Sequence, residues 1–337
     1  MSIARSRLAP LLVLLAVACS EPDAPASPLA SSSAAPAEVG TALTQAQIEM
    51  GYSHSCLVRT DGSLTCWGDN SRGQISIPAT LGPVLQVSSQ YDHTCAVTAK
   101  RKVVCWGGNN SAGELNVPAS VGAAREVSVG QTHSCALRLD RTVVCWGEST
   151  NPVFFPLVVP TGLAHVASIT SGPNYVCAVL KTGALTCFGD RDDGEADVPA
   201  GVAGVTGAFG GYEQPCITVT GGRPFCWGQG WSPSFTTPVP NVESSTLNQI
   251  PAGLTGVRKL GGGNGRTCAV TTAGSLYCWT GTTDHLPLAT HAVATDAPVV
   301  AFDFHVQSGG YCVITSNRTI QCSSGANAGV AAPATID

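Results

Sequence analysis

Fourteen of the fifteen cysteines in this 337-residue chain fall into seven couples, and the members of every couple stand ten residues apart. The couples are Cys56/Cys66, Cys95/Cys105, Cys135/Cys145, Cys177/Cys187, Cys216/Cys226, Cys268/Cys278 and Cys312/Cys322. One interval kept seven times asks for one local geometry built seven times. Around the first couple the sequence runs Ser55-Cys56-Leu57-Val58-Arg59, then Thr60-Asp61-Gly62, then Ser63-Leu64-Thr65-Cys66-Trp67. A hairpin with the three-residue loop Thr60-Asp61-Gly62 sets Cys56 directly opposite Cys66. Such loops end on a residue in the left-handed region, where glycine is preferred. The corresponding positions are Gly62, Arg101, Arg141, Gly183, Gly222, Gly274 and Arg318. Opposed residues of an antiparallel pair have Cα atoms about 4.5–5.5 Å apart, within reach of a disulfide. The spacing therefore predicts seven cross-strand disulfides. Each closes a short loop, so each contributes at or below about 3 kcal/mol.

Metal binding is the rival use of these thiols. His54, His93 and His133 each lie two residues before a cysteine and share its strand face. The same position holds Tyr175, Gln214, Arg266 and Gly310 in the other units while the cysteine couple stays, and no tight Cys-x₂₋₄-Cys clip is present. The histidines read as hydrogen-bonding residues at strand starts, and no metal or other cofactor is expected.

Successive first cysteines are 39, 40, 42, 39, 52 and 44 residues apart. A period near 40 with strand-like content suggests propeller blades. Each unit reads as four short strands: a Val-rich one such as Val84-Leu85-Gln86-Val87-Ser88, the two cysteine strands, and a Gly-led stretch such as Gly113-Glu114-Leu115-Asn116-Val117-Pro118. Alternation puts the cysteines on one face and residues such as Ala136 and Trp146 on the other. No segment keeps a 3.6-residue period. The expected fold is all-β, a seven-bladed β-propeller with four-stranded antiparallel blades, over residues 46–337 and with a monomer as the expected state. Trp67, Trp106, Trp146, Trp227 and Trp279 recur at one position of the unit and are expected to pack between blades.

The stretch from Gly51 to Gln74 carries a Gly, His54 three residues on, a hairpin tipped by Asp61-Gly62, then Trp67-Gly68, Asn70 and Gly73-Gln74. It resembles the regulator of chromosome condensation repeat, a family whose fold is a seven-bladed propeller. The first three units match best. Later ones depart: Phe188 and Ser323 replace the Trp, and Thr280 and Ser324 replace the Gly after it. The cysteine couples are unlike the intracellular members. Relatives of this fold include a chromatin-associated exchange factor and a secreted bacterial inhibitor of β-lactamases, both acting by protein contact, so the resemblance implies a binding scaffold.

Arg5 and Arg7 precede the apolar run Leu8–Val17, broken only by Pro10, which is too short for a membrane span and fits a signal-peptide core. Residues 1–18 are expected to be a signal peptide. The stretch Leu15-Ala16-Val17-Ala18-Cys19 resembles a bacterial lipobox, with the leucine one position further from the cysteine than usual. That resemblance implies lipid attachment at Cys19 and a chain anchored to the cell envelope. Cleavage of the same bond by an ordinary signal peptidase would instead give a freely secreted chain. Residues 19–45, rich in Ala, Ser and Pro and free of aromatics, read as a flexible tether.

The formal net charge is −5. Removing Arg5 and Arg7 leaves 15 basic against 22 acidic residues, and no Lys/Arg block exists, which argues against nucleic acid. No metalloprotease, nucleophile-elbow or phosphate-loop motif occurs. Gly261-Gly262-Gly263-Asn264-Gly265 reads as a turn, and Asp190-Arg191-Asp192-Asp193-Gly194 as a blade turn rather than a calcium loop. The fifth unit is longest, and its extra residues include Trp231 and Phe235, the candidate binding loop. The expected function is non-catalytic recognition of a protein at the cell envelope. The alternatives are a lyase or hydrolase with a site in the central channel, and a glycan-binding adhesin.

Overall fold

The computed structural model describes residues 45–148, 157–191, 194–211, 214–228, 254–263, 266–280, 291–304 and 310–323. The signal peptide, Cys19, the tether before residue 45 and the loop with Trp231 and Phe235 lie outside the described residues. So do Asp192 and Asp193 of the blade turn and the C-terminal segment 324–337.

Among the described residues, twenty-two strands form seven antiparallel sheets in chain order. The first sheet holds β1 (Gln47–Met50), β2 (His54–Val58) and β3 (Leu64–Gly68). The second holds β4 (Val84–Gln90), β5 (His93–Thr98) and β6 (Val103–Gly107), and the third β7 (Ala124–Val129), β8 (His133–Arg138) and β9 (Val143–Gly147). The fourth holds β10 (Val166–Ser171), β11 (Tyr175–Leu180) and β12 (Leu185–Gly189), and the fifth β13 (Val205–Gly210), β14 (Pro215–Val219) and β15 (Arg223–Cys226). The sixth holds β16 (Val257–Gly263), β17 (Arg266–Thr271), β18 (Leu276–Thr280) and β19 (His291–Val293). The seventh holds β20 (Val299–Phe304), β21 (Tyr311–Thr315) and β22 (Ile320–Cys322). The first strand of each sheet contacts that of the next, and β20 contacts β1, so the inner strands close a ring around an axis.

Four-stranded blades were expected. Among the described residues six sheets have three strands, and only the sixth has a fourth. The Gly-led stretch is a turn because its own side chains take its backbone donors. Asn110 Oδ1 accepts from Leu115 N at 3.0 Å, a Glu114 carboxylate oxygen accepts from Ala112 N at 3.0 Å, and Gly113 sits at φ +79°. A strand needs those donors for a neighbour. The Gly-rich run is also corrected: Gly261–Gly263 belong to inner strand β16, not to a turn. A Cβ on Gly261 would stand 2.7 Å from Phe304 Cβ, so glycine there lets two large aromatics of the next blade pack against the strand.

All seven cysteine couples are disulfides between opposed residues of the second and third strands of a blade. Cys56–Cys66, Cys177–Cys187, Cys216–Cys226, Cys268–Cys278 and Cys312–Cys322 have Cα–Cα distances of 4.1 Å, and Cys95–Cys105 and Cys135–Cys145 of 4.0 Å. These distances fall below the 4.5–5.5 Å expected from strand pairing. The two members of a couple, alike in the sequence, differ in burial. Every first cysteine is buried on the middle strand. On the third strand Cys66, Cys105, Cys145 and Cys322 are only half-buried. Cys278 is buried and pairs with His291 of β19, the one fourth strand described. Cys187 and Cys226 are buried without such a strand.

The third loop position has positive φ in every hairpin, from +64° at Arg101 to +83° at Gly62. In six of the seven, that residue's carbonyl accepts from the first residue of the next inner strand, as when Val84 N donates to Gly62 O at 2.9 Å. The hairpin loops and the inner-strand starts therefore share one end of the ring, the hairpin face. Turns from inner to second strands occupy the other end, the turn face.

Alternation decides the core. One side of each blade presents its cysteines, and the other presents the residues that flank them. Seven apolar clusters result, one per seam between blades. At the second seam Cys95 and Val97 meet Val127, Ala136 and Trp146; at the closing seam Cys312 and Ile314 meet Ile48, Met50, Leu57 and Trp67. Trp67, Trp106, Trp146, Trp227 and Trp279 are each buried against the disulfide side of the preceding blade. At roughly 25 cal/mol per Å² of apolar area, one such side chain contributes a few kcal/mol of burial.

Candidate functional site

The inner strands surround a central cavity of about 230 Å³ to which all seven blades contribute. An inner strand has one backbone edge unpaired, and in this ring side chains of the preceding blade cover it. Gln47 Nε2 donates to Leu85 O at 3.0 Å. Gln86 makes two bonds to one residue of the next blade, donating to Val127 O and accepting from Val127 N, both at 2.9 Å. Glu126 accepts from Ile169 N at 3.1 Å, and Thr170 from Gly210 N at 2.9 Å. Arg258 donates to Val299 O at 2.7 Å, and Asp303 accepts from Met50 N at 2.6 Å. The fifth blade has Gly207 and Phe209 at the corresponding positions, neither with a polar side-chain group.

Charge concentrates where the ring closes. Lys259 Nζ lies 3.7 Å from Glu49 Oε1 and 3.7 Å from Asp303 Oδ1, which ties the sixth, first and seventh blades together. These side chains keep 18–31% of their surface, open to the channel and its mouth. Burial, followed by the neighbouring Asp303 carboxylate, pushes Glu49 up to about 8. Burial also raises Asp303, against the pull of Lys259. Burial works to neutralise Lys259, but the two carboxylates outweigh it and hold the ammonium charged above its ordinary range. The ion pair is thus Lys259 with Asp303, and Glu49 takes the proton. Burial pushes Glu126, across the channel, up to about 7. A protonated Glu126 is the isostere of Gln86: one oxygen accepts from Ile169 N and the other carries a donor.

This convergence of acids from three blades is the constellation a channel enzyme would need, and sequence reading missed it. Glu49, Glu126 and Asp303 fall at two different offsets within the unit, so no repeat position marks them. Two of the three carboxylates are committed to backbone donors of the next blade, and Lys259 is held between acids rather than presented as a base or nucleophile. The arrangement closes and neutralises a ring.

The repeated histidines and tryptophans cross the seams. His54 Nε2 meets Thr94 Oγ1 at 2.8 Å, and His93 Nε2 meets Ser134 Oγ at 3.1 Å. At the place equivalent to Thr94 and Ser134, the fourth blade has Val176, and His133 Nε2 has no partner among the described residues. Burial holds His93 down to about 4 and His133 to about 3, so both are neutral. Tyr175 replaces the histidine in the fourth blade, and its hydroxyl donates to Gly211 O at 3.1 Å. Glycine three residues upstream makes room: a Cβ on Gly130 would stand 2.0 Å from His133 Cε1. Trp106, Trp146 and Trp227 donate from Nε1 to Gln74, Glu114 and Glu195 carbonyls of the preceding blade at 2.8–3.0 Å. These residues serve the shared core. No group of three or more potential metal ligands occurs among the described residues.

Three segments, 46–74, 84–113 and 124–151, match the family model of the regulator of chromosome condensation (RCC1) repeat. No curated protein matches the chain at a significant level. Among solved structures, the ectodomain of the Physcomitrella patens receptor kinase CR4 superposes with a TM-score of 0.62 at 23% identity, covering 82% of this chain and 72% of that one. The ectodomain of the Arabidopsis thaliana receptor kinase ACR4 gives 0.60 at 18% identity, over 86% and 99%. Prp20p from Saccharomyces cerevisiae gives 0.58 at 16% identity, over 78% and 80%. The fold is that of an RCC1-like propeller.

Proposed function

We propose that the chain is a non-catalytic propeller that recognises a protein partner outside the cell membrane, exported by residues 1–18 and tethered through Cys19. The observation that carries the binding reading is the commitment of the channel's polar groups to the ring itself. Glu126 and Asp303 hold backbone donors, and Lys259 is held between Glu49 and Asp303. Yeast Prp20p, similar in fold, has been crystallised with attention to its binding of Gsp1p and histones, and also bound to Kap60, which supports protein contact as the use of such a ring. Seven disulfides suit an oxidising compartment. The long fifth-blade insertion with Trp231 and Phe235 is the proposed contact loop.

Surface-immobilised mature chain, challenged with envelope proteins and with glycan arrays, tests this. Saturable binding of one protein species, lost in Trp231→Ala with Phe235→Ala, is expected. Glycan capture unaffected by that variant would favour the adhesin. Turnover of a small substrate abolished by Glu49→Gln or Lys259→Met would favour a channel enzyme.

A further inference from the structure

The ring sorts the chain's charge by face in a way the linear sequence conceals. Lys100, Lys102, Lys181, Arg223 and Arg318 are exposed in or beside the hairpin loops of the second, fourth, fifth and seventh blades, and Arg258 is exposed near the start of β16 at the same end. Arg59, Arg101, Arg138 and Arg141 add to these loops, half-buried, as does Arg125 near the start of β7. Against these eleven basic residues the described part of that face carries three acids, Asp61, Asp140 and Asp296. The turn face is the reverse. Of its basic residues, Arg72 and Arg191 are paired, with Asp92 at 3.1 Å and Asp197 at 3.2 Å, and Arg266 begins β17 at this end, while Asp69, Glu148 and Asp190 add negative charge. An acidic chain therefore folds into a polarised disc.

We propose that the hairpin face is a docking surface for an anionic lipid bilayer. Three observations choose a membrane over an acidic protein or polymer. The basic residues come from blades all around the ring rather than lining one groove, which fits an extended planar anion. The chain enters its first blade at this face, since Gln45 and Ala46 lead into β1, so the segment that follows Cys19 leaves from the side that would meet lipid. Leu139, one of the two large hydrophobics prominently exposed among the described residues, projects from a hairpin loop on the same face at 52% exposure. A basic surface adds electrostatic attraction to anionic headgroups beside any lipid anchor at Cys19. Docking this way turns the opposite face outward for a partner. The orientation rests on the tether proposed above; the charged face does not.

The test uses the mature chain with Cys19→Ser, so that no acyl group contributes, and co-sedimentation with vesicles of phosphatidylglycerol and phosphatidylcholine or of phosphatidylcholine alone. Binding is expected to the anionic vesicles only, and to weaken steeply between about 50 and about 300 mM salt. Reversing Lys100, Lys102, Lys181 and Arg223 to Glu is expected to lower binding about tenfold or more. Asp69→Lys with Glu148→Lys, on the other face, is expected to change it by less than about twofold. Binding that ignores lipid charge, or that survives the fourfold reversal, overturns the proposal. So does tight binding to heparin or DNA with none to anionic vesicles. Native protein found unacylated at Cys19 while vesicle binding persists would remove the tether reading and leave this one standing.

Discussion

The seams between the first three blades and the seam that closes the ring solve the same problem with different chemistry. Between the first and second blades, and between the second and third, neutral groups cross: His54 to Thr94, His93 to Ser134, Trp106 and Trp146 to carbonyls. Between the seventh and first blades the crossing is ionic, with Asp303, Lys259 and Glu49. Neighbouring blades elsewhere are consecutive in the chain, so a loosened seam reseals at a lower entropic cost than one between the chain's two ends. The closing seam joins residues 253 apart in sequence, and the polar clamp adds register to an apolar contact that would tolerate slippage. A repeat protein can drift in most seams provided the one without a tether is specified.

The largest break in this comparison is expected from Asp303→Ala, which leaves Lys259 against Glu49 alone and Met50 N without its acceptor. Chemical denaturation should show a loss of about 2–4 kcal/mol, against about 1 kcal/mol for Ser88→Ala at an ordinary seam, where the Ser88 hydroxyl accepts from Val129 N of the next blade at 3.2 Å. Equal losses would mean the closing seam is not special. Trp146→Phe removes the bond to Glu114 O and some volume, for an expected loss of about 2 kcal/mol by the same measurement.

Acidity sharpens the contrast, since the inner-ring acids and the seam histidines titrate in opposite directions. Glu49 and Glu126, raised to about 8 and about 7, bind protons in the folded state that the unfolded chain has released, so their contribution falls as pH rises from about 5 to 8. His93 and His133, held to about 4 and about 3, refuse protons the unfolded chain binds below about 6.5, so theirs falls as pH drops below that value. Melting temperature should peak between about pH 5 and 6.5. Glu126→Gln should reduce the alkaline decline and raise the melting temperature at pH 8; an unchanged profile would remove Glu126 from the account. The smallest effect expected is a gain: Val176→Thr offers His133 the hydroxyl that Thr94 and Ser134 offer its counterparts, for about 0.5–1 kcal/mol.

What the sequence disclosed follows the range over which each feature is determined. The hairpins were legible to the residue because turn chemistry is local: the loop register drawn from Asp61-Gly62 also places Arg101, Arg141 and Arg318 at positive φ, where side chains are disfavoured. The same register pairs Cys105, Cys145, Cys187 and Cys278 with their partners, but it says nothing of burial: Cys187 is buried while Cys105 and Cys145 are half-buried, all three on sheets with three described strands. The ring and its repeat were legible from the period. The fourth strand is misleading in the sequence because Gly113–Pro118 looks extended, while Asn110 and Glu114 occupy the donors a strand would use. Gly261–Gly263 looks like a turn because the aromatics that demand glycine, Phe302 and Phe304, lie some forty residues on. The closing clamp and the basic face were invisible for the same reason: their members are spread over the units, one to three in each, and meet only when the ring is built.

The claim beneath all of this is that every blade is stapled within itself. Peptide mapping of native, unreduced protein after thiol alkylation tests it most directly. Seven linked pairs, each joining cysteines ten residues apart from Cys56–Cys66 to Cys312–Cys322, with none of the fourteen alkylated, is the predicted result. Links between cysteines of different blades, or alkylation of most of them, would contradict it.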